Sequence, residues 1–159
     1  MNRRTALRQL FILAGGVWMA TSCDPRPNSP SIELRNIDLT RSDEEFLGQL
    51  VDAIIPTTDS PGGRELNLHL FVMKMLDDCA SPEQQQQFLE GLALAEQVKD
   101  KGEDKQRAYL NDLPKEDTFY SFLKRRALQG YKNSAYVMKN KLIYELVPGR
   151  YNGAVKISV

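Results

Sequence analysis

The sequence predicts an all-α fold: a single bundle of about five helices, behind an N-terminal signal and anchor segment and ahead of a short extended tail. Three observations lead there. Apolar residues recur at helical spacing through most of the chain. Prolines, glycines and residues able to cap a helix punctuate those runs. No stretch before Ala154 alternates with the period of a strand. At 159 residues, 42% hydrophobic and 26% charged, the chain suits one domain with a buried core rather than two small ones or a disordered polymer.

Residues 1–22 read as an export signal. Arg3, Arg4 and Arg8 lead without a carboxylate, an apolar run extends from Leu10 to Ala20, and Thr21-Ser22-Cys23 closes it. That run falls short of the roughly 20 apolar residues a spanning helix needs, and Pro25, Pro27 and Pro30 block its continuation. Ala20-Thr21-Ser22-Cys23 looks like a bacterial lipobox, which makes Cys23 the lipidation site, two acyl chains giving stable anchoring. Arg3-Arg4 before Thr5-Ala6-Leu7 resembles a twin-arginine export signal. Cleavage before Cys23 removes three Arg and no acid, so 21 bases and 21 acids become 18 and 21, a net charge of −3.

Residues 23–41, rich in Pro, Asn, Ser and Arg, read as a lipid-anchored flexible tether, and 42–159 as the helical domain. The first helix follows a capping box at Ser42 and Glu45, with Phe46, Leu47, Leu50, Val51, Ile54 and Ile55 facing inward until Pro56. Thr57 to Gly63 forms a turn-rich loop. The second helix, Asn67 to Cys79, is apolar on most sides, leaving Lys74, Asp77 and Asp78 as a polar strip. Ser81, Pro82 and Gln84 start the third, which buries Phe88, Leu89 and Leu92, with Val98 beyond them. Charge and Gly102 make Lys99–Lys105 an exposed corner before a short helix over Lys105–Leu110. After Pro114, Phe119, Phe122, Leu123, Ala127, Leu128 and Tyr131 share a face into which Arg126 projects, and Gly130 ends or bends that helix. A last helix covers Ser134–Leu146, ahead of a turn at Pro148–Gly153 and an extended tail at Ala154–Val159.

The chemistry legible in these residues is sparse. The charge balance argues against a nucleic-acid binder, which normally needs a basic face to neutralise phosphates. Two cysteines and one histidine exclude a four-thiolate zinc site and every motif built on paired histidines. No glycine-rich phosphate cradle follows a strand. His69 needs partners from elsewhere in the chain for any metal or catalytic role, so it reads as structural. Cys79, central on an apolar arc beside two aspartates, reads as a buried, inert thiol. Asp77-Asp78 lacks the further ligands of a calcium loop and reads as a solvated helix end. Lys124-Arg125-Arg126 reads as helical surface rather than a site for lipid phosphates. No catalytic, cofactor-binding or metal-binding residue is predicted.

Several blocks resemble a family. Ile54-Ile55-Pro56-Thr57-Thr58-Asp59-Ser60-Pro61-Gly62, His69-Leu70-Phe71-Val72 and Met75-Leu76-Asp77-Asp78-Cys79 look like the small third subunit of gluconate 2-dehydrogenase. Phe122-Leu123-Lys124, Gln129-Gly130-Tyr131 and Val147–Gly153 extend the likeness, which covers roughly 42–155. The resemblance implies a non-catalytic accessory subunit for the assembly, export or anchoring of an exported flavoprotein dehydrogenase of the glucose–methanol–choline type, often accompanied by a cytochrome c. FAD, and haem c where the cytochrome takes part, then belong to partner subunits, and this chain binds no cofactor. Candidate partner contacts are Thr57, Thr58, Asp59, Pro61 and Gly62 in the loop, Gly130 and Tyr131 at a corner, and Pro148, Gly149 and Tyr151 in the last turn; each position also suits a purely structural role. A free-standing envelope lipoprotein that binds a protein or small ligand is the alternative reading. An enzyme in its own right, using Asp59 and His69, is a third.

Overall fold

The computed structural model describes residues 28–142, with Gly149 and Ala154 beyond them. Six α-helices occupy the described residues, with no strand: α1 Arg41–Ile54, α2 Leu68–Cys79, α3 Pro82–Ala95, α4 Glu103–Asp112, α5 Thr118–Lys132 and α6 Ala135–Asn140. A single 3-10 turn, Glu96–Val98, follows α3. The signal segment, Cys23 and most of the region from Ile143 onward lie outside the described residues.

The N-cap of helix α1 lies two residues before the expected one. Thr40 is the N-cap and Asp43 the reciprocal partner: the Asp43 N–H donates to Thr40 Oγ1 at 3.2 Å and the Thr40 N–H donates to Asp43 Oδ2 at 2.8 Å. The same capping pattern is available at both registers. The earlier one wins because the chain before it is already docked: Ile37 and Leu39 are buried in the core, and Glu44 accepts from the Ser31 N–H and hydroxyl at 2.5 and 2.7 Å. Residues 32–39, expected as part of a tether, therefore belong to the folded domain.

The third helix begins as its sequence predicts, with Ser81 capping, Gln84 reciprocating and Pro82 in the first turn. Ser134 caps α6, which stops at Asn140, short of the predicted Leu146. Helix α4 is longer than expected, starting at Glu103 behind Gly102, whose φ of 84° suits glycine. Gly130 does not end α5, which continues to Lys132.

Helix α5 packs across α2 and α3, while α1 packs on α2 and α4. Phe88 sits at the centre of the α3–α5 contact, its ring 5.0 Å from that of Phe119 and 5.5 Å from that of Phe122. The close approach depends on Gly91, where a Cβ would lie 2.3 Å from the Phe119 Cβ. Phe46, Leu47, Leu50, Val51, Val72, Met73, Leu76 and Leu123 complete the sealed centre. Gln106 ties α4 into it, its amide donating to Gln49 Oε1 at 2.8 Å and to the Lys99 carbonyl at 2.9 Å.

Candidate functional site

The loop after α1 is held by its own chain. The Gly63 N–H donates to the Ile55 carbonyl at 2.8 Å, the Gly62 N–H to Thr57 Oγ1 at 3.2 Å, and the Arg64 N–H to Asp52 Oδ1 at 2.7 Å. Thr57, Thr58 and Asp59 are exposed, Pro61 is half-buried and Gly62 is buried. Gly130 is buried as well: a Cβ there would approach Phe71 Cδ1 to 2.9 Å and Leu68 Cδ2 to 3.3 Å. Tyr131 is half-buried against the core. Leu68 connects loop and corner, since its N–H donates to the Gly63 carbonyl at 2.9 Å while its side chain faces Gly130. Gly149 is exposed, and Pro148 and Tyr151 lie outside the described residues.

His69 is buried, and its Nδ1 has no hydrogen-bond partner among the described residues. Burial holds its pKa below the usual histidine value, partly offset by Glu44, with Arg64 lowering and Asp52 raising it further. Asp59 is not among these neighbours; it accepts from the Thr58 hydroxyl at 3.0 Å on the exposed loop. The structure therefore does not join Asp59 and His69 into a catalytic pair.

Two expectations at the end of α2 are corrected. Cys79 is exposed rather than buried: as the last residue of the helix it projects beyond the elements that cover Val72 and Leu76. Asp77 is buried rather than solvated, with 1% of its surface exposed. Its Oδ1 accepts from the N–H groups of Arg35, Asn36 and Ile37 at 3.0, 2.7 and 3.2 Å, and Lys74 Nζ reaches Oδ2 at 3.3 Å. Burial by itself pushes this carboxyl up. The amides of Asn36 and Arg35, the Lys74 ammonium and the Ile37 amide outweigh burial and leave the pKa below the ordinary value. Asp77 is thus a latch for the segment that precedes α1. Among the described residues no cluster of three or more His, Cys, Asp or Glu could hold a metal ion, and no helix is long and apolar enough to cross a membrane.

A groove of about 990 Å³ is formed by the end of α4, the α4–α5 connection and one side of α5. Leu113, Tyr120 and Leu128 give it an apolar floor, and Lys115, Lys124, Arg125 and Lys132 stand around it. Leu128, expected in the core, is 39% exposed. Its predicted companions Phe119, Phe122, Leu123 and Ala127 fill the bundle side of α5, and Leu128 falls where that arc turns toward solvent. Lys124 lies over the Tyr120 ring, 5.1 Å from its centroid, and donates to the Tyr120 hydroxyl at 3.0 Å. None of the four cations has a carboxylate partner among the described residues. Arg126 instead turns along the apolar edge, its guanidinium 5.3 Å from the Phe122 ring centre and its Nη1 donating to Gln129 Oε1 at 2.7 Å. The groove's signal in the sequence is the four-residue recurrence of Tyr120, Lys124, Leu128 and Lys132 along one stripe of the helix, which the reading of Leu128 as core obscured.

Comparison with curated proteins and with solved structures finds no match to this chain. Residues 41–149, from the first residue of α1 to the described glycine beyond α6, match the family model "Gluconate 2-dehydrogenase subunit 3". That span is well over half of the 159 residues, and the chain belongs to the gluconate 2-dehydrogenase subunit 3 family.

Proposed function

We propose that this protein is a non-catalytic accessory subunit of an envelope flavin-dependent alcohol or sugar-acid dehydrogenase. Family membership over residues 41–149 is the observation that carries the reading. The disposition of the polar interior supports it. Asp77, Glu44 and Gln106, three of the four buried polar residues among those described, are engaged by the chain's own amides, hydroxyls and carbonyls, as structural groups are. In this reading a glucose–methanol–choline-type large subunit binds FAD and carries out the oxidation, and where a cytochrome c takes part it passes electrons onward.

Export and anchoring complete the proposal. Arg3-Arg4 directs the chain, with its folded partner, through the twin-arginine route, and diacylglyceryl transfer to Cys23 holds it on the periplasm-facing membrane surface. The test is an affinity pull-down of the tagged full chain from native membranes, scanned for flavin and haem absorbance and assayed for dye-linked dehydrogenase activity. A stoichiometric flavoprotein with activity is the expected result. Recovery of the bait alone, under detergent conditions that keep known complexes intact, favours a free-standing lipoprotein. Cys23→Ala is expected to release the protein from membranes washed at high salt, and retention of that variant would sink the anchor.

A further inference from the structure

We propose that the groove along α5 docks an acidic, amphipathic segment of the flavoprotein subunit. An apolar side chain of that segment seats on Tyr120 and Leu128, and its carboxylates meet Lys115, Lys124, Arg125 and Lys132. The proposal deepens the subunit reading and rests on it.

Charge complementarity chooses the occupant. The groove wall has four cations and no lining carboxylate, and those cations have no ion pair among the described residues. Arg35, Arg64, Lys101 and Lys105 also lack an ion pair among the described residues; the groove differs in gathering four such bases around one apolar floor. Four like charges around an exposed leucine favour a partner that brings opposite charge together with an apolar side chain. Size separates a chain segment from a small anion. Tyr120 to Lys132 covers three turns of helix, roughly 18 Å at about 1.5 Å per residue. One small anion cannot touch charges spread over that distance, while a strand or helix of matching length can.

Position favours protein over lipid. The chain departs toward its N-terminus from the head of α1, where the Arg41 N–H donates to the Asn28 carbonyl at 2.9 Å. Tyr120 and Lys124 also border a small cleft with Ala53, Ile54 and Pro56 at the foot of that helix. Fourteen residues of helix separate the two ends, roughly 20 Å at about 1.5 Å per residue. Asn28, the first described residue, therefore lies at the end of α1 opposite the groove.

The experiment compares flavin retained per bait for the tagged full chain, a Lys124→Glu/Arg125→Glu double variant, Leu128→Asp, and Lys101→Glu as a charge reversal at the distant exposed corner. Wild type and Lys101→Glu are expected to retain the flavoprotein, with retention falling as salt rises. The two groove variants are expected to lose it at least about tenfold, because each sets a like charge or an unpaired charge against the partner. Zero-length carbodiimide cross-linking, which joins an amine to a carboxylate, is expected to connect Lys124 or Lys132 to an Asp or Glu of the flavoprotein. Should the double variant melt abnormally by circular dichroism, Lys124→Gln/Arg125→Gln takes its place under the same readout. Full retention by folded groove variants overturns the groove while leaving the subunit reading intact. Absence of flavoprotein from the wild-type eluate overturns both. Groove variants that keep the flavoprotein but lose binding to vesicles containing phosphatidylglycerol assign the surface to lipid and overturn the proposal.

Discussion

At Asp77 a single carboxylate decides where the N-terminal segment lies. Three consecutive amide N–H groups and the Lys74 ammonium converge on it in a site closed to water. Asp77→Asn keeps the shape and replaces half the acceptor capacity with a donor, so the variant is expected to lose roughly 3 kcal/mol in urea denaturation. The sign of its pH dependence follows from the lowered pKa. The unfolded chain binds the proton more readily, so the contribution is present above the ordinary aspartate value and is lost as pH falls through the folded one. Acid unfolding of Asp77→Asn is therefore expected to be shallower than that of wild type. His69 acts higher on the scale. Its folded pKa is also lowered, by burial foremost, so the folded state resists its protonation and stability declines as pH drops below the ordinary histidine value of 6.5. Denaturant midpoints between roughly pH 5 and 8 should show that slope in wild type and lose it in His69→Gln; an unchanged slope would assign it to another group. The sequence placed both residues on the right helix but misjudged Asp77, because nothing local to Asp77-Asp78 reveals that residues 35–37 fold back to meet one of the pair.

Among the elements, α1 and the α3–α5 pair offer the sharpest tests. If Thr40 is the working cap, Thr40→Ala costs about 1 kcal/mol while Ser42→Ala costs no more than a few tenths. Equal losses would return the start of the helix to the register that Ser42 and Glu45 suggest. At the α3–α5 contact, Gly91→Ala gains about 1 kcal/mol of helix propensity. It nevertheless forces the new methyl against the Cβ and ring of Phe119, which Phe88 backs from the other side. A net loss of about 1–2 kcal/mol is expected in thermal or denaturant melts. Gly130→Ala meets the edge of the half-buried Phe71 ring and the end of Leu68, side-chain tips rather than a Cβ, so its net loss is expected to be smaller than that of Gly91→Ala. Helix starts at Ser81 and Ser134 were legible because their caps are local. The end of α6 at Asn140 was not, since apolar spacing in the sequence continues past it.

For the whole molecule, the domain is larger than its family span. Residues 41–149 match the family model, yet Ile37 and Leu39 lie in the core and residues 35–37 satisfy Asp77. A chain beginning at Thr40 keeps every helix and its caps but exposes apolar surface worth roughly 1.5–3 kcal/mol per buried side chain and strands a buried carboxylate. It is expected to melt at least about 10 °C below a chain beginning at Asn28, measured by circular dichroism. Indistinguishable melting would make residues 28–39 a passive covering. The amino-acid order by itself determined the all-α class, the helices and most of their inward faces, and the family blocks around Ile54–Gly62, because each depends on spacing or caps within a few residues. The tertiary structure alone decided that Asp77 is a buried latch, that Cys79 and Leu128 face outward, that Gly130 lies beneath Phe71, and that four cations share one groove with an apolar floor. Each of those outcomes depends on which distant element covers a side chain. A helical period says which residues share a face and leaves open which part of that face the neighbouring helices reach.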